Sequence, residues 1–258
     1  MKVVLFCGGL GTRLREFSDT IPKPLVNIGY RPIIWHLMKF YAHYGHNDFV
    51  LCQGYRGDMI KEYFLNYDPY KGIDFSMTDG GQSLKPAISD IHDWAIQFCD
   101  TGLHSNIGQR LCAIRHHVKD EPVFLANYAD QLSDIDLSKY IDSFMATDAI
   151  AGFVTVKPSQ SFHTVEMDSD NQITGINDIS NANIWINGGY LILRQEIFDY
   201  IDEGEELVEE PFQRLIQDGL LFGYKHEGFW KAMDTFKDKI TYERMDGQGD
   251  RPWAIWED

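Results

Sequence analysis

Short β-rich runs alternate with amphipathic segments through the first 156 residues: KVVLFC, PIIWHLMKFYAHYG, DFVLCQG, DMIKEYFLNY, and later PVFLANYAD, LSKYIDSFMAT and AIAGFVTV. A strand that returns only after a helical crossover comes back parallel to its predecessor. This rhythm therefore predicts a parallel, doubly wound sheet with helices on both faces. Within the second segment Ile33, Ile34, Leu37, Met38 and Tyr41 recur at helical spacing, with Pro32 suited to a first turn. That stripe reads as core packing.

From about residue 160 the pattern shifts to shorter runs, FHTVEM, QITGI and NIWINGGYLIL, followed by helical stretches near 195 to 218. No Pro/Ser-rich linker separates the halves, so residues 1–258 are read as one domain whose second part, 157–258, extends the first, 1–156. The expected fold class is α/β: a Rossmann-like doubly wound mixed sheet flanked by helices, with a small β-rich extension. A hydrophobic content of 44% in 258 residues suffices for a real core.

With 39 acidic against 23 basic side chains the formal charge is −16, so the surface should repel nucleic acid and anionic membrane. The apolar run in MKVVLFCGG is too short for a signal segment, and no span of about 18 uncharged apolar residues occurs. The expectation is a soluble cytoplasmic chain without membrane or nucleic-acid partners. Cys7, Cys52, Cys99 and Cys112 lack any metal-ligand spacing and read as buried thiols. The aromatic C-terminus, with Trp253 and Trp256, suggests docking on the body or on a neighbouring subunit.

Directly after the first strand stand Gly8, Gly9 and Gly11. Amides without side chains in the way can form a concavity for phosphates, and ligands of such sheets gather at the C-terminal ends of strands. Two better-known motifs fail. Read from Gly9, GxGxxG would need glycine at Leu14, and no GxxxxGK followed by Ser or Thr occurs. An NAD(P)-dependent oxidoreductase is thereby disfavoured. The same connection adds the Thr12 hydroxyl, the forked cation Arg13, and Lys23 stiffened between Pro22 and Pro24. In an acidic chain this is a local site for an anion.

GGLGTRL followed by IPKPLV resembles the GGxGTRL…PKPM signature of sugar-phosphate nucleotidyltransferases, and its wording is most similar to the glucose-1-phosphate cytidylyltransferases. The likeness continues through FVLCQGYRGDMIKEYF, the DTG…GQRL segment, NYADQLSDIDL, INGGYLIL and GFWKAMDTFKDK. It implies an enzyme of carbohydrate biosynthesis in which a sugar 1-phosphate oxygen attacks the α-phosphorus of CTP and pyrophosphate leaves. No covalent nucleophile is needed; catalysis is positioning plus charge neutralisation. The resemblance implies Mg²⁺ on Asp130 and Asp234, with Arg13 against the leaving pyrophosphate and Lys23 at the α-phosphate. Gly8, Gly9, Gly11 and Thr12 would lie along the nucleotide, and Gly108 and Arg110 near base and ribose. Tyr55 is placed either at the base or in the core, and Asn187 and Gly189 near the sugar. Relatives are often oligomeric, so a homo-oligomer is expected.

The acceptor half departs from the family pattern. Where relatives carry the lysine that holds the sugar phosphate, this chain has Asp178, which would repel it. Where they carry glycine after an aromatic, His163 follows Phe162. Glucose 1-phosphate is the default acceptor. The alternatives are another phosphate or phosphonate contacted by Asp178 or His163, or a shifted loop in which Lys157 or Lys231 takes the phosphate. A catalytically inactive nucleotide-binding regulator is a further alternative.

Overall fold

The computed structural model describes residues 1–9, 21–85, 89–158, 162–179 and 182–256. Its main sheet is built from β1 (Val3–Phe6), β2 (Asp48–Gln53), β3 (Ala95–Asp100), β4 (Val123–Tyr128), β5 (Ala151–Val156), β6 (Ile186–Asn187), β7 (Leu191–Arg194) and β8 (Leu221–His226). The four N-terminal strands are parallel in the order β3-β2-β1-β4, as the alternation predicts. Beyond β4 the sheet becomes mixed: β7 is antiparallel to both β4 and β5, and β8 runs parallel to β5 on its far edge.

The sequence rhythm placed AIAGFVTV in the parallel set. In the structure β7 inserts between β4 and β5, a reordering that strand periodicity does not encode. NIWINGGYLIL likewise breaks into β6 and β7, because Gly189 at φ +71° and Tyr190 at φ +50° interrupt the extended backbone. The break remains paired to β5, with Gly188 N donating to Val154 O and Val154 N to Gly189 O. It is a bulge on a continuous edge rather than a strand end.

Two cores lie on the two faces of the sheet, and the period of two in β1 divides between them: Val3 and Leu5 face one, Val4 and Phe6 the other. Helix α1 (Ile33–His43) covers the first face. Pro32 precedes it at φ −70°, and Ile33, Ile34, Leu37, Met38 and Tyr41 are all fully buried. Burial of each such side chain contributes roughly 1.5–3 kcal/mol. The same face receives the C-terminal tail. Trp253 is fully buried against Tyr242 and Phe229 and Trp256 meets Trp35 edge-on, so the tail docks on the body of its own chain. The second core includes Leu111, at α2 (Ile107–Ala113).

Cys7 and Cys52 are buried, with burial raising both thiols well above their ordinary value. Cys99 is half-buried and Cys112 is exposed, against the expectation of uniformly buried thiols. Among the described residues no helix is long and apolar enough to cross a membrane.

Candidate active site

The site is assembled where the parallel strands end. Phe6 of β1 is in register with Tyr128 of β4, so Gly8 and Asp130, each two residues further on, emerge at the same C-terminal edge. Asp130 then leads into Gln131–Ser133, which pairs antiparallel with Trp230–Ala232. Met233 N donates to Asp130 O at 2.8 Å. This two-stranded ribbon brings Asp234 beside Asp130 from 104 positions along the chain. Asp234 immediately precedes Thr235, the N-cap of α3 (Phe236–Gly247), where Thr235 and Asp238 form a reciprocal capping box.

Lys23 lies between these carboxylates. The turn Lys23–Leu25 follows Pro22, and the Lys23 ammonium donates to Asp130 Oδ2 at 2.6 Å and to Asp234 Oδ1 at 2.7 Å. Its side chain is 10% exposed and each carboxylate 26%. Burial, the largest single influence, pushes the lysine pKa down, but the charges and hydrogen bonds of the two aspartates together outweigh it and raise it. A protonated lysine thus offsets one of the two charges of the carboxylate pair. Among the described residues no three His, Cys, Asp or Glu side chains converge as a metal cluster. Two carboxylates fit Mg²⁺, which takes few protein ligands and fills its octahedron with water and substrate phosphate oxygens.

The start of the glycine loop is fixed from below by Arg110. An Asn106–Gln109 capping box opens α2 and places Arg110 one residue beyond it, 2% exposed. Its Nη1 donates to Gln53 O, Thr101 Oγ1 and Gly102 O, and its Nη2 to Gly8 O at 3.0 Å. A Cβ on Gly8 would lie 2.1 Å from the guanidinium, whereas one on Gly9 would meet nothing within 4 Å. Gly8 is glycine because Arg110 presses against it, and Gly9 leaves open space. In this arrangement Arg110 positions the loop. Gly108 is also explained by packing, since a Cβ there would meet Glu205 O at 2.3 Å. Tyr55 N donates to Gly8 O, and its hydroxyl accepts from Arg56 Nε. Gly11, Thr12 and Arg13 lie outside the described residues.

On the other side of Asp130 stands a polar network that sequence reasoning missed. Asn127, fully buried, accepts through one oxygen from Tyr128 N, Gln131 Nε2 and Tyr190 N. Gln131 Nε2 and Trp230 Nε1 both donate to Gly188 O. A Cβ on Gly189 would fall 1.8 Å from Gln131 Nε2, so this network and the bulge require each other. Asn187 Oδ1 accepts from Gly189 N at 2.8 Å. The Tyr128 hydroxyl is raised to about 12, first by burial and then by Glu206 and Asp130, against a hydrogen bond with Asn187. The signal available in sequence was the pair of amides flanking the NYAD turn.

His163 and Asp178 lie on a separate exposed ribbon, His163–Met167 paired with Ile173–Asp178, and there they are direct cross-strand partners. The two departures from the family pattern are thus one paired position. Of the alternative cations, Lys231 is engaged by Asp238 at 2.7 Å. Lys157 lies 4.7 Å from the Trp185 ring, with Lys225 5.2 Å from the same ring.

Residues 2–245 match the nucleotidyl transferase family. The chain is 36% identical over 259 residues to the glucose-1-phosphate cytidylyltransferase of Salmonella typhi, covering 100% of both. It is 26% identical over 251 residues to the mannose-1-phosphate guanyltransferase of Schizosaccharomyces pombe, covering 93% of this chain and 63% of that one. A solved UDP-glucose pyrophosphorylase complexed with UDP-glucose shares the fold with a TM-score of 0.69 at 14% identity, over 96% of this chain and 98% of that one.

Proposed function

We propose that this chain, which belongs to the nucleotidyl transferase family, transfers CMP from CTP to a phosphorylated acceptor, by default glucose 1-phosphate, releasing pyrophosphate. The observation that carries the reading is the Lys23 ammonium held between Asp130 and Asp234 beside the Gly8–Gly9 turn. Two carboxylates, one cation and a Gly8–Gly9 turn are what an in-line displacement at phosphorus needs, and a covalent nucleophile is not. The choice of CTP and glucose 1-phosphate is supported by the name of the relative that is 36% identical along the whole chain.

In this reading the acceptor's phosphate oxygen forms a bond to the α-phosphorus as the bond from that phosphorus to the bridging oxygen of pyrophosphate breaks. Asp130 and Asp234 would hold Mg²⁺, which when bound supplies positive charge to the reacting phosphates. Lys23, no longer needed between the carboxylates, turns its ammonium to the α-phosphate. The Gly8 and Gly9 backbone, with Gly8 held by Arg110, would lie along the phosphates, and the resemblance assigns the leaving pyrophosphate to Arg13. Asn187 and the Gly189 bulge bound the acceptor side.

A second reading changes only the acceptor. It is supported by the cross-strand pairing of His163 with Asp178, the latter at the sequence position where the family pattern has a lysine for the sugar phosphate. That pair favours a phosphate or phosphonate bearing an amine or several hydroxyls. Pyrophosphate release is measured with each nucleoside triphosphate against sugar 1-phosphates, small phosphates and phosphonates, with Mg²⁺, in the parent and in Asp178→Lys. Release with CTP and glucose 1-phosphate supports the first reading, and gain of that activity only in Asp178→Lys supports the second. No release from any triphosphate in either protein refutes both.

A further inference from the structure

Past Asn187, three strands of the sheet bring together a second pair of cations. Thr155 of β5 is the register partner of Asn187 in β6 and of Lys225 in β8, so these three residues form one row across the sheet. Lys157 and Trp185 each stand two residues from that row, both towards the C-terminal end of β5, and a period of two puts them on the same face. There the Lys157 ammonium lies 4.7 Å and the Lys225 ammonium 5.2 Å from the centre of the Trp185 ring, so the two charges are no more than about 10 Å apart. Asn187 links this face to the reacting centre, because it hydrogen-bonds the Tyr128 hydroxyl and Asp130 acts on that same hydroxyl through its charge.

Their surroundings set these lysines apart. Lys2, Lys23, Lys39, Lys139, Lys231 and Lys239 each meet a carboxylate within 4.0 Å. Among the described residues Lys157 and Lys225 meet none: Lys157 donates to Ala182 O at 2.8 Å, and the only other partner of either ammonium is the Trp185 ring. Glu227, two residues beyond Lys225, pairs with neither. An aromatic face attracts a cation but cancels none of its charge. In a chain of formal charge −16, two like charges therefore stand uncompensated at the end of the sheet where ligands of this fold class gather. They are also distinct from the group that serves the reacting phosphates. At about 3.3 Å per residue, Trp185 stands roughly 7 Å past Asn187 along its strand, about the length of one sugar ring.

We propose that Lys157 and Lys225, held over Trp185, form a subsite for a second anionic group of the acceptor, remote from the phosphate oxygen that attacks. The acceptor is then a sugar phosphate or short phosphonate that carries a further phosphate or carboxylate at its other end. This rests on the reading of Asn187 as the acceptor side. Two flexible ammonium groups can both donate to one phosphate or carboxylate, and such charge-assisted hydrogen bonds are stronger than neutral ones. The subsite thus selects for charge at the far end of the acceptor, a feature that glucose 1-phosphate lacks.

The test is isothermal titration calorimetry of the full chain with glucose 1-phosphate, glucose 1,6-bisphosphate and glucuronic acid 1-phosphate, the last two separating phosphate from carboxylate as the second anion. At least one of these two is expected to bind the parent about tenfold or more tighter than glucose 1-phosphate. Lys225→Met, a change at an exposed residue, should cut that ratio at least about threefold, and Lys225→Arg, which keeps the charge, should retain it. Lys157→Met, measured beside them, should cut it likewise. Because the readout is a ratio within one protein, a general loss of folded chain lowers every affinity without moving it. Equal affinities of the parent for all three sugars overturn the proposal, as does a ratio that survives both methionine changes, or a parent that binds none of the three. Calorimetry reads binding and not turnover, so a parent that shows the expected ratio but releases no pyrophosphate from any triphosphate refutes the transferase reading and leaves the subsite standing.

Discussion

Replacing Lys23 by methionine removes the cation between two carboxylates and leaves their charges facing each other. Both oxygens lie within 2.7 Å of one nitrogen, so they are no more than about 5 Å apart. At an effective dielectric constant of about 20, unit charges at that separation repel by roughly 3 kcal/mol. Each carboxylate is 26% exposed, and solvent screening reduces this to about 2 kcal/mol. For a chain of this size that corresponds to a fall in Tm of about 4–8 °C. Differential scanning fluorimetry with and without Mg²⁺ reads the effect. Lys23→Met is expected to melt lower than the parent without metal and to regain more on adding Mg²⁺, because the ion no longer has to displace an ammonium. Adding Asp130→Asn to Lys23→Met removes the repulsion and recovers part of the loss, a coupling that the double-mutant cycle isolates. An unchanged Tm in Lys23→Met, or Mg²⁺ stabilising the parent more than the variant, refutes the reasoning. The raised lysine pKa adds a sign: the ammonium's contribution is complete below the ordinary value near 10.4 and is lost only as pH rises through the higher folded value.

Arg110→Met removes the guanidinium shared by Gly8 O, Gln53 O and Gly102 O, leaving Gly8 O with Tyr55 N and Gln53 O with the Thr101 donors; urea unfolding should show a loss of about 1–3 kcal/mol, and Arg110→Lys, lacking the planar fork, should not restore it. Gly189→Ala meets both a φ of +71° and the Gln131 amide; a cost of about 2–3 kcal/mol is expected by the same assay, and a neutral result refutes the linkage between bulge and network. His36 is fully buried, and its pKa is pushed down to about 4 by burial against hydrogen bonds to the Ile28 and Arg31 carbonyls. Because the unfolded chain binds the proton first, stability present above about pH 6.5 falls by about 2 kcal/mol on going to pH 5. His46, also lowered to about 4, acts in the same direction. His36→Gln should flatten this pH dependence in urea titrations, and an unchanged slope refutes its assignment.

How legible these features were depends on whether their cause is local. The parallel strands and α1 follow from side-chain periodicity, which a strand or helix must show to bury one face, and both stand where the pattern placed them. The insertion of β7 between β4 and β5 has no local cause, since strand order depends on which edges are free after the crossovers close. Lys23, Asp130 and Asp234 were each marked by the family wording. Their convergence came from the Gln131–Ser133 and Trp230–Ala232 ribbon, whose three-residue strands are too short to announce themselves. Arg110 was placed from the same wording at the base and ribose. Its acceptors come from the turns at residues 8, 53 and 101–102, which no spacing in the sequence connects.

The same distinction separates the two halves of the site. On the donor side the demands are generic: a phosphate loop needs glycine against Arg110, and a cation needs two carboxylates, so the residue types alone limit the chemistry. On the acceptor side specificity is a difference between affinities, and the positions proposed to decide it sit on an exposed ribbon that packing does not constrain. His163 and Asp178 are paired there across two strands. A single replacement of lysine by aspartate would only repel a phosphate, whereas a histidine opposite that aspartate adds a second polar group at the same cross-strand position. Two changes at one cross-strand position are therefore better explained by an altered acceptor than by loss of function. On this reasoning Asp178→Lys without His163→Gly should restore less glucose 1-phosphate turnover than both together, and kcat/KM for the two single variants and the double variant measures the difference. If the single Asp178→Lys change restores as much as the pair, the two positions act independently and the coupling is wrong.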